Sequence, residues 1–139
     1  YEGATVITPN TREAEVALGE EFGCEADVLS GGMTLLQRFH TDAVLITRGE
    51  NGMSLFERGK PPMTIPTRAI DVYDVTGAGD TVIATFSMAL AAGCCMQEAA
   101  EVANLAAGVV VGIVGTAVAT PEMVLDHYDR IHYKDEVKR

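Results

Sequence analysis

The run from Val72 to Thr85, V-Y-D-V-T-G-A-G-D-T-V-I-A-T, constrains this chain more than any other stretch. A β-branched, strand-like segment passes through Gly77, Ala78 and Gly79 and enters the apolar, Ala-rich run Thr81 to Ala92, which reads as helix. The pattern predicts a strand, a small-residue turn and a helix N-terminus with a carboxylate, Asp80, on its first turn. Such a terminus carries unpaired N–H groups and the positive end of the macrodipole, and small residues let an anion come close to the backbone. Asp80 has two readings here. It favours the helix start, as first-turn acids do, or it stands ionised beside a bound phosphate and takes a proton from the attacking hydroxyl.

The rest of the chain alternates strand and helix signals. Ala4 to Thr8 is β-rich and ends at Pro9, and Asn10 or Thr11 then caps an amphipathic helix through Leu18, closed by Gly19. Asp27 to His40 reads as a second helix with Gly31 and Gly32 weakening its middle. Ala43 to Thr47 is an apolar run of the buried parallel-strand type, followed by the glycine turn Arg48 to Gly52 and a strand from Met53 to Phe56. Met63 to Pro66 and Ala69 to Tyr73 read as short strands on either side of a turn. The central helix stops at Gly93, and Met96 to Val114 forms a nearly apolar, buried helix. Thr120-Pro121-Glu122 opens a last amphipathic helix to about Tyr133, and Lys134 to Arg139 reads as a charged tail. This order predicts an α/β fold, a mainly parallel sheet with helices on both faces.

Composition narrows the function classes. The 139 residues, 47% hydrophobic, suffice for one domain with a sizeable core. A net charge of −10 argues against a nucleic-acid partner, whose phosphates it would repel, but not against a nucleotide held at a local helix terminus with Mg²⁺. No apolar run has membrane-spanning length, so no membrane partner is expected. Three cysteines, Cys24, Cys94 and Cys95, lack metal-ligand spacing and suit a reduced, cytoplasmic chain. His40 reads as a helix-end residue, and His127 and His132 as surface residues. The opening Tyr1-Glu2-Gly3 suggests a piece of a longer protein. Neither a G-x-x-x-x-G-K-[ST] loop nor a G-x-G-x-x-G fingerprint occurs.

Asp74 to Asp80, followed by Thr81-Val82-Ile83-Ala84, resembles the C-terminal signature of the ribokinase (PfkB-type) carbohydrate kinases. The resemblance implies a ribokinase-like fold, of which this chain is the C-terminal, nucleotide-binding half spanning residues 1–133, with the sugar-binding half absent. It implies that Asp80 is the catalytic base and that the amides of Gly77, Ala78 and Gly79 form an anion hole for the transferred phosphoryl group. Thr85 departs from the small residue usual at its position. The wording V-Y-D-V-T-G-A-G-D-T-V-I, with A-A-G-V-V-V-G at Ala106 to Gly112, is similar to the heptose 7-phosphate kinase branch, whose reaction serves lipopolysaccharide precursor synthesis.

Other segments acquire second readings from the same resemblance. Asn10-Thr11-Arg12-Glu13 is a capping box, or it resembles the family's Asn-x-x-Glu motif, in which Asn10 and Glu13 place Mg²⁺, an ion content with one or two carboxylates. Thr47-Arg48-Gly49-Glu50-Asn51-Gly52 is a tight turn, or it resembles the Thr-x-Gly-x-x-Gly loop, whose Thr47, Gly49 and Gly52 contact ATP phosphates. Asp74 and Thr76 either close an Asx-type turn or help place K⁺. Asn104 is a core polar residue or, with Gly115, a nucleotide contact near the adenine. The family further implies a small sugar or sugar phosphate as substrate and a homodimer for the full-length protein.

Overall fold

The computed structural model describes residues 3–137, with side chains as far as Tyr133. The chain divides into two compact units, Tyr1–Pro66 and Thr67–Arg139, where composition alone suggested one domain.

In the first unit, β1 (Val6–Ile7) pairs in parallel with β2 (Ala43–Thr47), and β3 (Met53–Glu57) and β4 (Met63–Ile65) follow as antiparallel neighbours in the order β1-β2-β3-β4. The sheet is therefore mixed, with its parallel pairing confined to β1 and β2. Only Val6 and Ile7 lie opposite Ala43 and Val44, so β1 is shorter than the β-rich run Ala4 to Thr8. Beyond it Pro9 still accepts from the Thr47 amide at 3.0 Å, and an isolated bridge joins Asn10 to Thr47. The β2–β3 register sets Val44 against Phe56 and Ile46 against Ser54, which puts these four side chains on one face of the sheet.

Helices α1 (Thr11–Leu18) and α2 (Glu25–Arg38) cover that face. Ala14, Val28, Leu35 and Leu36 join Val44, Ile46 and Phe56 in one core cluster, each large apolar side chain contributing about 1.5–3 kcal/mol by leaving water. Gly31 and Gly32 sit mid-helix at an intrinsic cost of about 1 kcal/mol each, and close packing is the reason. A Cβ on Gly32 would lie 2.2 Å from the Phe56 ring, and one on Gly31 would lie 2.4 Å from the Phe22 ring. On the other face, Ala43, Leu45, Met53, Leu55 and Ile65 are also buried, so both faces demand apolar residues. Past α2, His40 takes a left-handed φ of 49°, the conformation that turns the chain out of a helix, in keeping with its helix-end reading.

The second unit is helical. α3 (Ala78–Ala91) packs along α4 (Met96–Val111), with Val82, Phe86 and Ala89 buried on one and Ala99, Ala100, Ala103 and Ala106 on the other. Alanines let the two backbones approach. α3 ends in a paired-amide stop at Gly93, φ 96°: the Gly93 N–H donates to Leu90 O and the Cys94 N–H to Ala89 O, both at 3.0 Å.

Three sequence expectations need correction here. Ala69 to Tyr73 form no strand; this segment has no strand partner among the described residues and is pinned instead by Tyr73 and Asp74 amides donating to Val111 O at 2.8 and 3.2 Å. α5 (Pro121–Val137) continues past Tyr133, so the backbone of residues 134–137 is helix; residues 138 and 139 of the expected tail lie outside the described residues. His127 is not a surface residue: it is 9% exposed, and its Nε2 lies 2.7 Å from Arg68 O. Gly108 makes room for it, since a Cβ there would stand 2.9 Å from that nitrogen. His132 is exposed, its ring 3.9 Å from that of Tyr128.

Candidate active site

Four helices of this chain carry an acid at the third position, and three use it identically. Asn10, Cys24 and Cys95 are extended N-caps, with ψ of 171°, 172° and 167°. In each case the acid three residues on reaches back: Glu13 Oε2 accepts from the Asn10 amide at 2.9 Å, Asp27 Oδ2 from Cys24 at 2.9 Å, and Glu98 Oε2 from Cys95 at 2.8 Å. These bonds pull the Asp27 and Glu98 carboxyls below the usual carboxylate range; for Asp27 the leading cause is its hydrogen bond to the Cys24 side chain, and for Glu98 the Cys95 amide.

α3 breaks the pattern. Its N-cap is Gly77 in the left-handed region, φ 79° and ψ −1°, with no side-chain cap. Asp80 does not fold back onto the Gly77 amide, and its carboxylate is exposed with no partner among the described residues. The glycine conformation is the cause, because a left-handed cap orients its N–H differently from the extended caps of the other helices. Among the described residues the amides of Gly77, Gly79 and Asp80 have no backbone acceptor, while that of Ala78 donates to Val75 O at 3.2 Å. So three amides are open at this terminus, and Ala78, one of the expected anion-hole donors, is engaged. A Cβ on Gly77 or on Gly79 would meet nothing within 4 Å, so a group can approach the backbone here.

Asp74 lies just before this turn and makes the Asx-type bond. Its Oδ1 accepts from the Thr76 amide at 2.9 Å, and its Oδ2 accepts from the Gly115 amide at 3.3 Å. The Thr76 amide is the main reason its carboxyl is held below the usual range, with Gly115 adding to it. Asp74, Thr76, Gly115 and the residues Gly77 to Asp80 thus form one cluster. Asn104 is 4% exposed inside α4 and has a bonding partner, as does every buried side-chain polar atom among the described residues. A cleft of about 380 Å³ in the second unit is lined by Ile70, Asp71, His127 and Arg130 and by Gly108, Val109 and Gly112 of the Ala106 to Gly112 stretch, and by none of the candidate catalytic, nucleotide or metal residues.

The first unit gathers the remaining candidates at the carboxyl ends of its parallel strands, where open α/β sheets bind ligands. Asn10 follows β1 and Thr47 ends β2; Thr11 Oγ1 donates to Thr47 O at 3.4 Å. Asn10 and Glu13 form the full capping box, Asn10 Oδ1 accepting from the Glu13 amide at 2.9 Å. Gly49 (φ 56°) and Gly52 (φ 77°) bracket a single 3₁₀ turn closed by Arg48 N–H donating to Gly52 O at 2.8 Å, and a Cβ on Gly49 would face open space. Sequence reasoning passed over Arg48 itself. Its guanidinium bonds both Glu25 carboxylate oxygens and Ser54 Oγ. The partner is 23 residues away, so no local signal pointed to it.

Among the described residues no group of three or more His, Cys, Asp or Glu side chains could cage a metal. Glu13 and Asn10 suit only a Mg²⁺ that keeps most of its waters and leans on nucleotide phosphates. No helix among the described residues is long and apolar enough to cross a membrane.

Strands and helices in this order, with a glycine turn opening α3, define a ribokinase-like α/β protein. The fold superposes on Arabidopsis thaliana ribokinase, solved with ribose and ATP, with a TM-score of 0.80 and 26% identity, covering 88% of this chain and 40% of that one. Escherichia coli phosphofructokinase-2, solved with potassium, shares the fold at a TM-score of 0.85 and 15% identity, over 94% of this chain and 42% of that one. Residues 1–123 match the pfkB family of carbohydrate kinases, and the chain belongs to that family. It is 50% identical over 121 residues to the bifunctional protein HldE of Aeromonas salmonicida and 49% over 123 residues to that of Klebsiella pneumoniae strain 342. In both cases 87% of this chain is covered, and the chain spans about 25% of the relative's length.

Proposed function

We propose that this chain is the nucleotide-side part of an ATP-dependent sugar kinase. The observation that carries the reading is the start of α3, where Asp80 is exposed and, among the described residues, unpaired beside the open amides of Gly77 and Gly79. In the reaction Asp80 takes the proton from the attacking sugar hydroxyl, and these amides, with that of Asp80, hold the charge that develops on the transferred phosphoryl group. Thr47 and the backbone at Gly49 and Gly52 hold nucleotide phosphates. Glu13 and Asn10 would hold a hydrated Mg²⁺, which would supply neutralisation of phosphate charge. Asp74 holds the turn, and its ionised carboxylate keeps acceptor capacity beyond its two amide bonds, which suits K⁺ beside Thr76.

The acceptor we propose is D-glycero-D-manno-heptose 7-phosphate, phosphorylated at its anomeric hydroxyl, in a cytoplasmic homodimer. The wording of Val72 to Ile83 and of Ala106 to Gly112 supports it. Because the chain covers about a quarter of its curated relatives, we expect it to bind nucleotide alone but to turn over sugar only within a longer kinase, since catalysis needs both substrates held in line. Calorimetry with MgATP on this chain, and ATP consumption with a panel of sugars and sugar phosphates on the full-length protein, test both parts. Absence of MgATP affinity, or ATP consumption that no sugar stimulates, would overturn the reading.

A further inference from the structure

The β2–β3 loop is braced by one side chain. Among the described residues, Arg48 is the sole member of Arg48 to Gly52 whose side chain is bonded; Glu50 and Asn51 are exposed. Its guanidinium takes both oxygens of Glu25, with Nη1 to Oε1 at 2.9 Å, and donates to Ser54 Oγ at 3.1 Å. Arg48's side chain is 11% exposed and Ser54 is fully buried, so the pair is largely removed from water on the arginine side. Glu25 is the first residue of α2, where the helix dipole favours a negative charge. A planar guanidinium that meets a carboxylate through two bonds has its orientation fixed as well as its charge neutralised.

With its charge spent on Glu25, Arg48 is poorly placed to bind an anion itself. What it fixes is the backbone: the same residue closes the turn through its N–H to Gly52 O, and Gly49 stands next to it with open space over its Cα. We propose that Arg48, held by Glu25 and Ser54, is a positioning residue for nucleotide phosphates, keeping the Gly49 to Gly52 backbone in its bonding conformation. The inference rests on the reading that this loop contacts those phosphates.

Calorimetry on this chain with MgATP and, separately, with adenosine tests it, alongside thermal unfolding and amide exchange at residues 49–52. Arg48→Met is expected to weaken MgATP binding about tenfold, the scale of a misplaced positioning group, with adenosine affinity unchanged and exchange at 49–52 faster. Glu25→Gln, which alters a half-exposed carboxylate and spares the core, is expected to give a smaller loss of the same kind. Arg48→Lys, a single ammonium that cannot reproduce the fork, is expected to restore little. MgATP affinity unchanged in both Arg48→Met and Glu25→Gln, or MgATP and adenosine weakened equally, would overturn the positioning role while leaving the kinase reading intact. A wild-type chain that binds neither compound would overturn both.

Discussion

The starts of α1 and α3 are the same length of chain solving opposite problems. Each has an acid at the third helical position, Glu13 in one and Asp80 in the other. At α1 an extended Asn10 lets the acid return to the cap, and two of the helix's spare donors are satisfied within the motif. At α3 a left-handed Gly77 prevents that closure, and the carboxylate and three amides stay open to a ligand. The lesson is that an acid on a first turn says little about function until the conformation of the cap is known. Closure satisfies a helix start's spare donors from within, and its absence leaves unsatisfied groups that a phosphate can satisfy.

The largest test of that contrast is Asp80→Asn in the full-length protein. Turnover is expected to fall about 10²- to 10⁴-fold, the range for loss of a general base, while MgATP affinity and melting temperature hold. A melting temperature that drops with turnover preserved would make Asp80 a cap like the others. Gly79→Ala sharpens the comparison further. Helical geometry does not require glycine there, so the substitution should raise stability by about 0.5–1 kcal/mol, yet its methyl would occupy the space above the open amides and lower turnover about tenfold. Equal turnover in the alanine variant would show that nothing approaches that backbone.

At α1 the cap itself is read through folding. Asn10→Ala should cost about 1 kcal/mol in denaturant unfolding of this chain, the usual loss of an N-cap; an unchanged midpoint would mean the box adds nothing. The smallest effect belongs to Asp74. Its folded carboxyl titrates below the ordinary value, so its bonds to Thr76 and Gly115 add stability that is complete above about pH 4 and fades as pH falls through the depressed folded value. Melting curves of wild type and Asp74→Asn should therefore differ by a constant amount near neutrality and converge only in acid. A gap that persisted unchanged to pH 2 would contradict the sign.

Much of this was legible from local sequence, because caps and stops are short-range. Asn10 with Glu13, Gly19, Gly93 and Thr120-Pro121 each announce a helix end within four residues, and the helices begin or end beside them. The apolar run Ala43 to Thr47 announced a strand buried on both faces. The candidate residues Gly77 to Asp80 were also visible, as a motif. Their division into open and engaged amides was not, since that depends on whether Val75 O reaches Ala78.

The sequence by itself determined where helices start and stop, which runs are apolar, and which family the signature Asp74 to Asp80 belongs to, all properties of residues within a turn or two of each other. Tertiary structure alone decided the rest. Ala69 to Tyr73 looked like a strand, but a strand exists only against a partner, and here the chain is tied to Val111 instead. Gly31 and Gly32 looked like weak points until the rings of Phe22 and Phe56 were found against them. His127 is buried by Gly108 and Arg68, and Arg48 is fixed by Glu25, because residues distant in sequence are brought within bonding distance only when the chain packs.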